Sequence, residues 1–323
     1  MTRLIKSIFV FFSILLIAIW ILIARPIMPE KIIPQELVSV SDELLYQHVK
    51  ALSVDHAPRD YSHPENLNAS AEYIKDQFEK MGLEVIEQKF KVEHEEYKNL
   101  ITSFGPKNGT KIVIGAHYDV AGLFPGADDN ASGIAGLIEL ARLLKNETLK
   151  KNVTLVAFTL EEPPYFATGD MGSYVHAEKE READSDIELM ISLEMIGYFS
   201  DEKNSQKFPS KILKLFYPNK GNFVVVVDQL FSGWARKIKM AMSKQTTLPV
   251  YSINAPAMIP GIDFSDHRNY WAHGYAAVMI TDTSFYRNLA YHTEEDTIDR
   301  LDFKKMGHVI EGVYSFIVEI AKY

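Results

Sequence analysis

The stretch Lys111–Gly133, KIVIGAHYDVAGLFPGADDNASG, decides the fold. An apolar run, Ile112-Val113-Ile114, ends at Gly115-Ala116 and delivers His117 and Asp119; a loop then leads to Asp128, Asp129 and Asn130, ahead of a helical pattern. This is a strand, a loop and a helix start, with metal-binding side chains at both lips. Residues two apart on a strand face the same way, so His117 and Asp119 project together from its carboxyl end. One can ligate while the other holds its ring. An isolated His-x-Asp is more often a core histidine beside a turn former, so the rest of the chain has to shift the balance. It does: Glu161-Glu162 closes NVTLVAFTLEE, Glu194 closes IELMISLEM, and His292 follows in AYHTEEDT. In open α/β sheets, sites form outside the carboxyl ends of the strands.

Composition narrows the chemistry. The chain has 323 residues, is 47% hydrophobic and 24% charged, and carries a formal net charge of -9, which argues against nucleic-acid binding. It has no cysteine, so a metal would be held by His, Asp, Glu or water, and the redox compartment stays open.

Residues 8–24, IFVFFSILLIAIWILIA, are apolar except for Ser13, about the length needed to cross a hydrocarbon core. A signal peptide is the competing reading, with Arg3 and Lys6 as its basic start. The run exceeds a usual signal core, and Arg25-Pro26 makes a poor cleavage site, so it reads as an uncleaved anchor. The basic residues place the amino end in the cytoplasm and the remainder outside, periplasmic or extracellular, or secreted if the segment is cleaved. The expected division is 1–6 as cytoplasmic start, 7–24 as transmembrane anchor, 25–40 as a Pro-containing tether, and 41–323 as the catalytic domain.

Within that domain Ser41 reads as an N-cap, with a helical face following it. A second helix is expected from about Ala69 to Met81, strands over 83–92 and 97–103, and a helix over 131–144. Strands over 153–160, to Glu194, 222–227 and 276–280 alternate with helices over 170–183, 231–243 and 303–320. This alternation predicts an α/β fold with a mostly parallel, mixed central sheet covered by helices on both faces. Ser265-Asp266-His267 is not a serine-hydrolase triad, since adjacent members do not meet in that geometry and no Gly-x-Ser-x-Gly is present. Ser265 is expected to cap the helix that follows, with Asp266 and His267 supporting the site or the core. His94-Glu95-Glu96 lacks the second histidine of His-Glu-x-x-His.

From about Ile101 to Leu301 the motif order resembles the M28 zinc aminopeptidases: GAHYD at 115–119, PGADDNASG at 125–133, Glu161-Glu162, Glu194, Ser265-Asp266-His267 and His292-Thr293. The resemblance implies a three-layer sandwich of the zinc-exopeptidase type and two Zn²⁺ per chain. Two three-ligand ions need six contacts, which five residues supply if one carboxylate bridges. The resemblance gives His117 and Glu194 to one ion, Glu162 and His292 to the other, and Asp129 to both. It makes Glu161 the general base toward a metal-bridging hydroxide, and Asp119 the residue orienting His117. The implied activity is release of residues from the amino end of peptide substrates.

Three departures stand out. Glu194 stands where aspartate is frequent, Pro163–Gly169 forms an added loop, and Gly261–Phe264 lacks a tyrosine that some relatives use at the oxyanion, leaving Tyr286 or Tyr291 for that role. Phe166, Met171 and Phe285 are expected to line the pocket. Glutaminyl cyclases resemble the same family with one zinc, usually with Thr-Asp-Ser where this chain has Asp128-Asp129-Asn130. A non-catalytic exported binding module is the third reading. Substrate preference and oligomeric state are not readable from the sequence.

Overall fold

The computed structural model describes residues 3–24 and 38–322, so the expected tether lies outside the described residues up to position 37. Eight strands, β1 (Ile86–Val92), β2 (Glu95–Phe104), β3 (Lys111–His117), β4 (Asn152–Phe158), β5 (Ile187–Glu194), β6 (Val224–Asp228), β7 (Val250–Asn254) and β8 (Ala277–Thr281), form one sheet. Their spatial order is β1-β2-β4-β3-β5-β8-β6-β7. The central run β4-β3-β5-β8 is parallel, β1-β2 and β2-β4 are antiparallel, and β6 reverses against β8 while pairing parallel with β7. Strands buried on both faces must be apolar throughout, and every residue of β4, β6 and β8 is buried.

The helices are α1 (Arg3–Ala24), α2 (Asp42–Lys50), α3 (Pro64–Lys80), α4 (Gly133–Leu144), α5 (Gly172–Glu182), α6 (Trp234–Gln245), α7 (His267–Ala272) and α8 (Phe303–Ala321). One face of the sheet packs into the main core with α2, α3, α4, α6 and α8; the other holds α5 and α7 around Phe158, Ala177 and Tyr270. The expected α/β class and two-sided cover are what the fold has. α4 carries ten buried residues of its twelve, so it is an inner helix pressed on β3, β4 and β5. Ser41 caps α2 as expected, its Oγ accepting from the Leu44 amide at 3.2 Å.

Three local expectations are corrected. α3 begins at Pro64, five residues before the expected start; Pro suits a first helical turn, but the polar opening PEN offers no apolar period to read. β7 was not expected, because the side it buries carries Ser252 and Asn254 beside Val250, and this polar alternation hides a strand. Ser265 does not cap α7, which starts at His267 with no side-chain cap; its hydroxyl is committed to Glu194 instead.

α1 is 22 residues long and apolar enough to cross a membrane, with most of its side chains exposed. Its last turn alone rests on the rest of the fold, against β7 and the segment around Leu213–Tyr217.

Candidate metal centre

All seven residues singled out in the sequence lie at one end of the sheet, where β3, β4 and β5 terminate together. Parallel pairing of β4, β3 and β5 brings the ends carrying His117, Glu161-Glu162 and Glu194 side by side. Asp129 arrives from the wide turn Ala127–Ser132 that opens α4, and His292 from the loop after β8.

Asp129 stands between the two histidines. Its Oδ1 is 3.4 Å from His117 Nε2, and its Oδ2 is 3.1 Å from His292 Nε2. On the first side Glu194 Oε2 lies 3.3 Å from His117 Nε2; on the second, Glu162 Oε2 lies 3.1 Å from His292 Nε2. Two three-residue groups thus share one carboxylate: His117-Asp129-Glu194 and Asp129-Glu162-His292. Glu161 Oε2 is 3.9 Å from His117 Nε2, outside these two groups but within a third, His117-Glu161-Glu162, whose donor atoms also lie close together.

The donors fit a divalent cation. His117 Nε2, His292 Nε2 and Glu162 Oε1 are buried without a hydrogen-bond partner, an arrangement that is costly unless something electropositive satisfies them. Imidazole nitrogen with carboxylate oxygen is a zinc-type donor set. Asp119 lies behind the His117 ring: its backbone carbonyl is 3.3 Å and its Oδ1 3.4 Å from His117 Nδ1, while its Oδ2 accepts the Glu162 amide at 3.0 Å. One carboxylate therefore holds a ligand-type residue in each group.

Charge crowding sets the protonation. Burial, reinforced by Glu162, Glu194 and Asp266 and opposed by His117, pushes the Glu161 carboxyl well above the usual range. Burial and the nearby Asp129 charge lift Glu162 to about 7, and burial also raises Glu194. Asp129 is held below the usual range: burial opposes ionisation, but the adjacent His117 and His292 rings outweigh it. Burial resists charging of the histidines, yet the surrounding carboxylates raise His117 well above its ordinary value and His292 to about 10. A bound cation would displace those protons.

The motif around Asp129 is tied down residue by residue. Asn130 donates to the Leu193 carbonyl at 2.9 Å and accepts from the Gly133 and Met195 amides. Asp128 accepts from Gly197 N and from Asn288 Nδ2, both at 3.0 Å. Gly133 has to be glycine, since a Cβ there would sit 2.6 Å from the Leu193 carbonyl oxygen. Leu160, Met195 and His292, each in or beside the cluster, hold positive φ of 56°, 46° and 55°, an unfavourable backbone for such residues that the packed surroundings must maintain.

Sequence reasoning missed the roles of Arg59, Asp296 and Ser265, and offered Tyr291 only as one of two tyrosines for the oxyanion. Arg59, fully buried, donates to the carbonyls of Tyr118 (2.9 Å), Pro125 (2.5 Å) and Gly126 (2.6 Å), joining the two lips of the opening motif. Asp296 accepts the amides of Asp128 and Asp129. Ser265 Oγ donates to Glu194 Oε2 at 2.8 Å and shares a hydrogen bond with Ser192. Tyr291 stacks on His292, ring centroids 3.8 Å apart, with Asp129 and Glu162 near its hydroxyl; burial keeps that hydroxyl protonated far above its ordinary pKa. Tyr291 adjoins His292 in sequence and Ser265 stands in the Ser265-Asp266-His267 motif, whereas Arg59 and Asp296 carry no signal. Tyr286 is otherwise engaged, donating to the Pro260 carbonyl.

His267 belongs to the core, its Nε2 donating to the Ile262 carbonyl and its ring edge-on to Trp271; burial lowers its pKa to about 4. Phe166 and Phe285 line the cavity beside the cluster, whereas Met171 is fully buried beneath it, its sulfur accepting from the Ala167 amide.

A parallel-centred sheet with a histidine-carboxylate cluster at its strand ends defines the class of metal-dependent α/β hydrolases. The profile of peptidase family M28 matches residues 99–317, and the chain belongs to that family and so to the zinc-dependent hydrolases. It is 46% identical over 286 residues to the uncharacterized protein YfbL of Escherichia coli (strain K12), covering 86% of this chain and 88% of that one. It is 27% identical over 222 residues to probable leucine aminopeptidase 1 of Trichophyton verrucosum (strain HKI 0517), covering 65% of this chain and only 54% of the fungal one. In fold it is similar to BSAP, a zinc aminopeptidase from Bacillus subtilis (TM-score 0.69, 16% identity, 90% and 97% covered). It is similar also to the glutaminyl cyclase of Fimbriiglobus ruber (TM-score 0.66, 19% identity, 88% and 97% covered).

Proposed function

We propose that the protein is a two-zinc aminopeptidase that removes residues from the amino end of peptides. The observation that carries this reading is the sharing of Asp129 between two histidine-carboxylate groups. His117, Asp129 and Glu194 would hold one ion; Glu162, His292 and Asp129 the other. When bound, the ions would acidify a water and polarise the scissile carbonyl.

The protein's own residues handle the protons. Glu161 takes a proton from the attacking water and returns it to the departing amine, so the amide C–N bond breaks as the water oxygen joins the carbonyl carbon. Its raised pKa suits it to both halves of that transfer. Asp119 keeps the His117 ring oriented with Nε2 inward. Tyr291, kept neutral, is the hydroxyl available to donate to the developing oxyanion. We place residues 41–323 as the exported catalytic domain and α1 as its membrane anchor.

The test is zinc content with hydrolysis of a panel of aminoacyl anilides. Two zinc per chain with anilide turnover is expected, and Glu161→Gln should lower kcat by about a thousandfold with zinc retained. One zinc per chain with cyclisation of amino-terminal glutamine and no anilide turnover would replace this reading with the cyclase one. Absence of tightly held metal would remove the enzymatic reading.

A further inference from the structure

One continuous cavity of about 370 Å³ begins at Asp129, Glu161 and Glu194 and runs sideways from them along the sheet. Its floor follows from strand register. Cross-strand partners share a face, and Met279 pairs with Val227, which pairs with Ile253. These three residues lay an apolar track across β8, β6 and β7, and all three line the cavity. From β5, which ends in Glu194, to β7 is three strand spacings, roughly 14 Å at about 4.8 Å each. A cavity of this size takes a whole small ligand, and its length exceeds the reach of a leucine side chain.

The far end of the track meets α1. Leu213, Tyr217 and Ile253 line the cavity there, and the same residues receive the last turn of the helix. Ala24 is buried among them, its carbonyl accepting from Ser252 Oγ at 3.3 Å. Trp20 stacks on Phe216, centroids 6.1 Å apart and planes 19° from parallel, behind the wall that Leu213 and Tyr217 present.

We propose that the first residue of the substrate carries an extended apolar chain that lies along this track, and that α1 braces the end wall that stops it. The inference rests on the aminopeptidase reading and specifies its substrate: an amphiphile with a free amino group at the metal centre and a tail directed to the root of α1. Such a molecule partitions into a bilayer, and the helix long enough to cross one ends where the tail would lie. Trp20 acts as a positioning residue, through Phe216.

The experiment uses the full chain in detergent with anilides of alanine, norleucine, 2-aminooctanoic acid and 2-aminodecanoic acid. We expect kcat/KM to climb by up to about fourfold per methylene through the longest chain, since each buried methylene contributes to binding. Trp20→Ala should lower the ratio of kcat/KM for 2-aminodecanoyl over alanyl anilide about fivefold, through KM rather than kcat, and Trp20→Phe should restore it. A plateau at norleucine would overturn the proposal. So would a ratio indifferent to Trp20→Ala, or an intact mass showing that the active protein begins after Ala24. If no anilide is hydrolysed by zinc-loaded protein, the aminopeptidase reading itself falls, a result distinct from each of these.

Discussion

Arg59 spends a fully buried charge on backbone carbonyls at the two ends of one loop, residues 118–126 between β3 and the turn that opens α4. Burial depresses its pKa to about 10, opposed by Asp129 and Asp296, so it remains cationic at neutral pH. Its positive charge also lies beside a strongly acidic cluster, which gives it an electrostatic role as well as a structural one. Arg59→Met would take the guanidinium donor from the Tyr118 and Pro125 carbonyl oxygens, each worth about 1–3 kcal/mol. We expect the metal-free variant to lose about 3 kcal/mol or more in urea denaturation, and Arg59→Lys to recover only part, since an ammonium cannot span the fork. Unchanged denaturation midpoints would show that water replaces the guanidinium. Nothing in the local sequence APRDYS marks Arg59, because its partners are main-chain atoms and main-chain partners leave no trace in residue identity.

At the scale of elements, α7 and the loop before it are held by an uncharged histidine. His267 sits at about 4 in the folded protein and near 6.5 when unfolded. Its folded pKa is the lower one, so the unfolded chain binds the extra proton. The contribution is therefore present above about pH 6.5 and is lost as pH falls toward about 4. Between pH 7 and 5 this amounts to about 2 kcal/mol. Wild type should lose that much more stability over the interval than His267→Phe, read from denaturant curves at the two pH values; parallel losses would show that His267 is not the titrating group.

The strands that place the cluster were readable because strands buried on both faces are uninterrupted apolar runs, and their ends are marked by the acidic residues themselves. β7 was not, since the side it buries bears a serine and an asparagine. The dual use of Ser265 was hidden for another reason: a serine before a helix has the composition of a cap, and only the parallel pairing of β5 with β8 brings Glu194 within its reach.

For the whole molecule, the centre is a concentration of like charge that a cation would relieve. Burial with carboxylate neighbours raises the Glu161 carboxyl well above its ordinary range and Glu162 to about 7, and Asp266 is lifted to about 7 by burial. Zinc that binds only the folded state stabilises it by about 4 kcal/mol at a thousandfold excess over Kd. For a domain of this size that corresponds to a melting temperature higher by about 10 °C. Chelation should lower the midpoint by that amount and readdition of zinc should restore it; a midpoint indifferent to chelator would mean that the seven residues of the cluster form a self-sufficient polar network.

The reversal of β6 against β8 divides the labour of the chain. The residues of the centre come from β3, β4, β5, the opening turn of α4 and the loop carrying His292, while the outer track is built by β6, β7 and the segments around them. On the proposed function, the reacting groups and the surface that measures the substrate thus sit on separately encoded stretches that meet at one seam, β8. Such a partition lets the outer pair be rebuilt in length, polarity or taper while the donors keep their spacing, so one unaltered chemical engine can be re-aimed at new clients by exchange of roughly a quarter of the sequence.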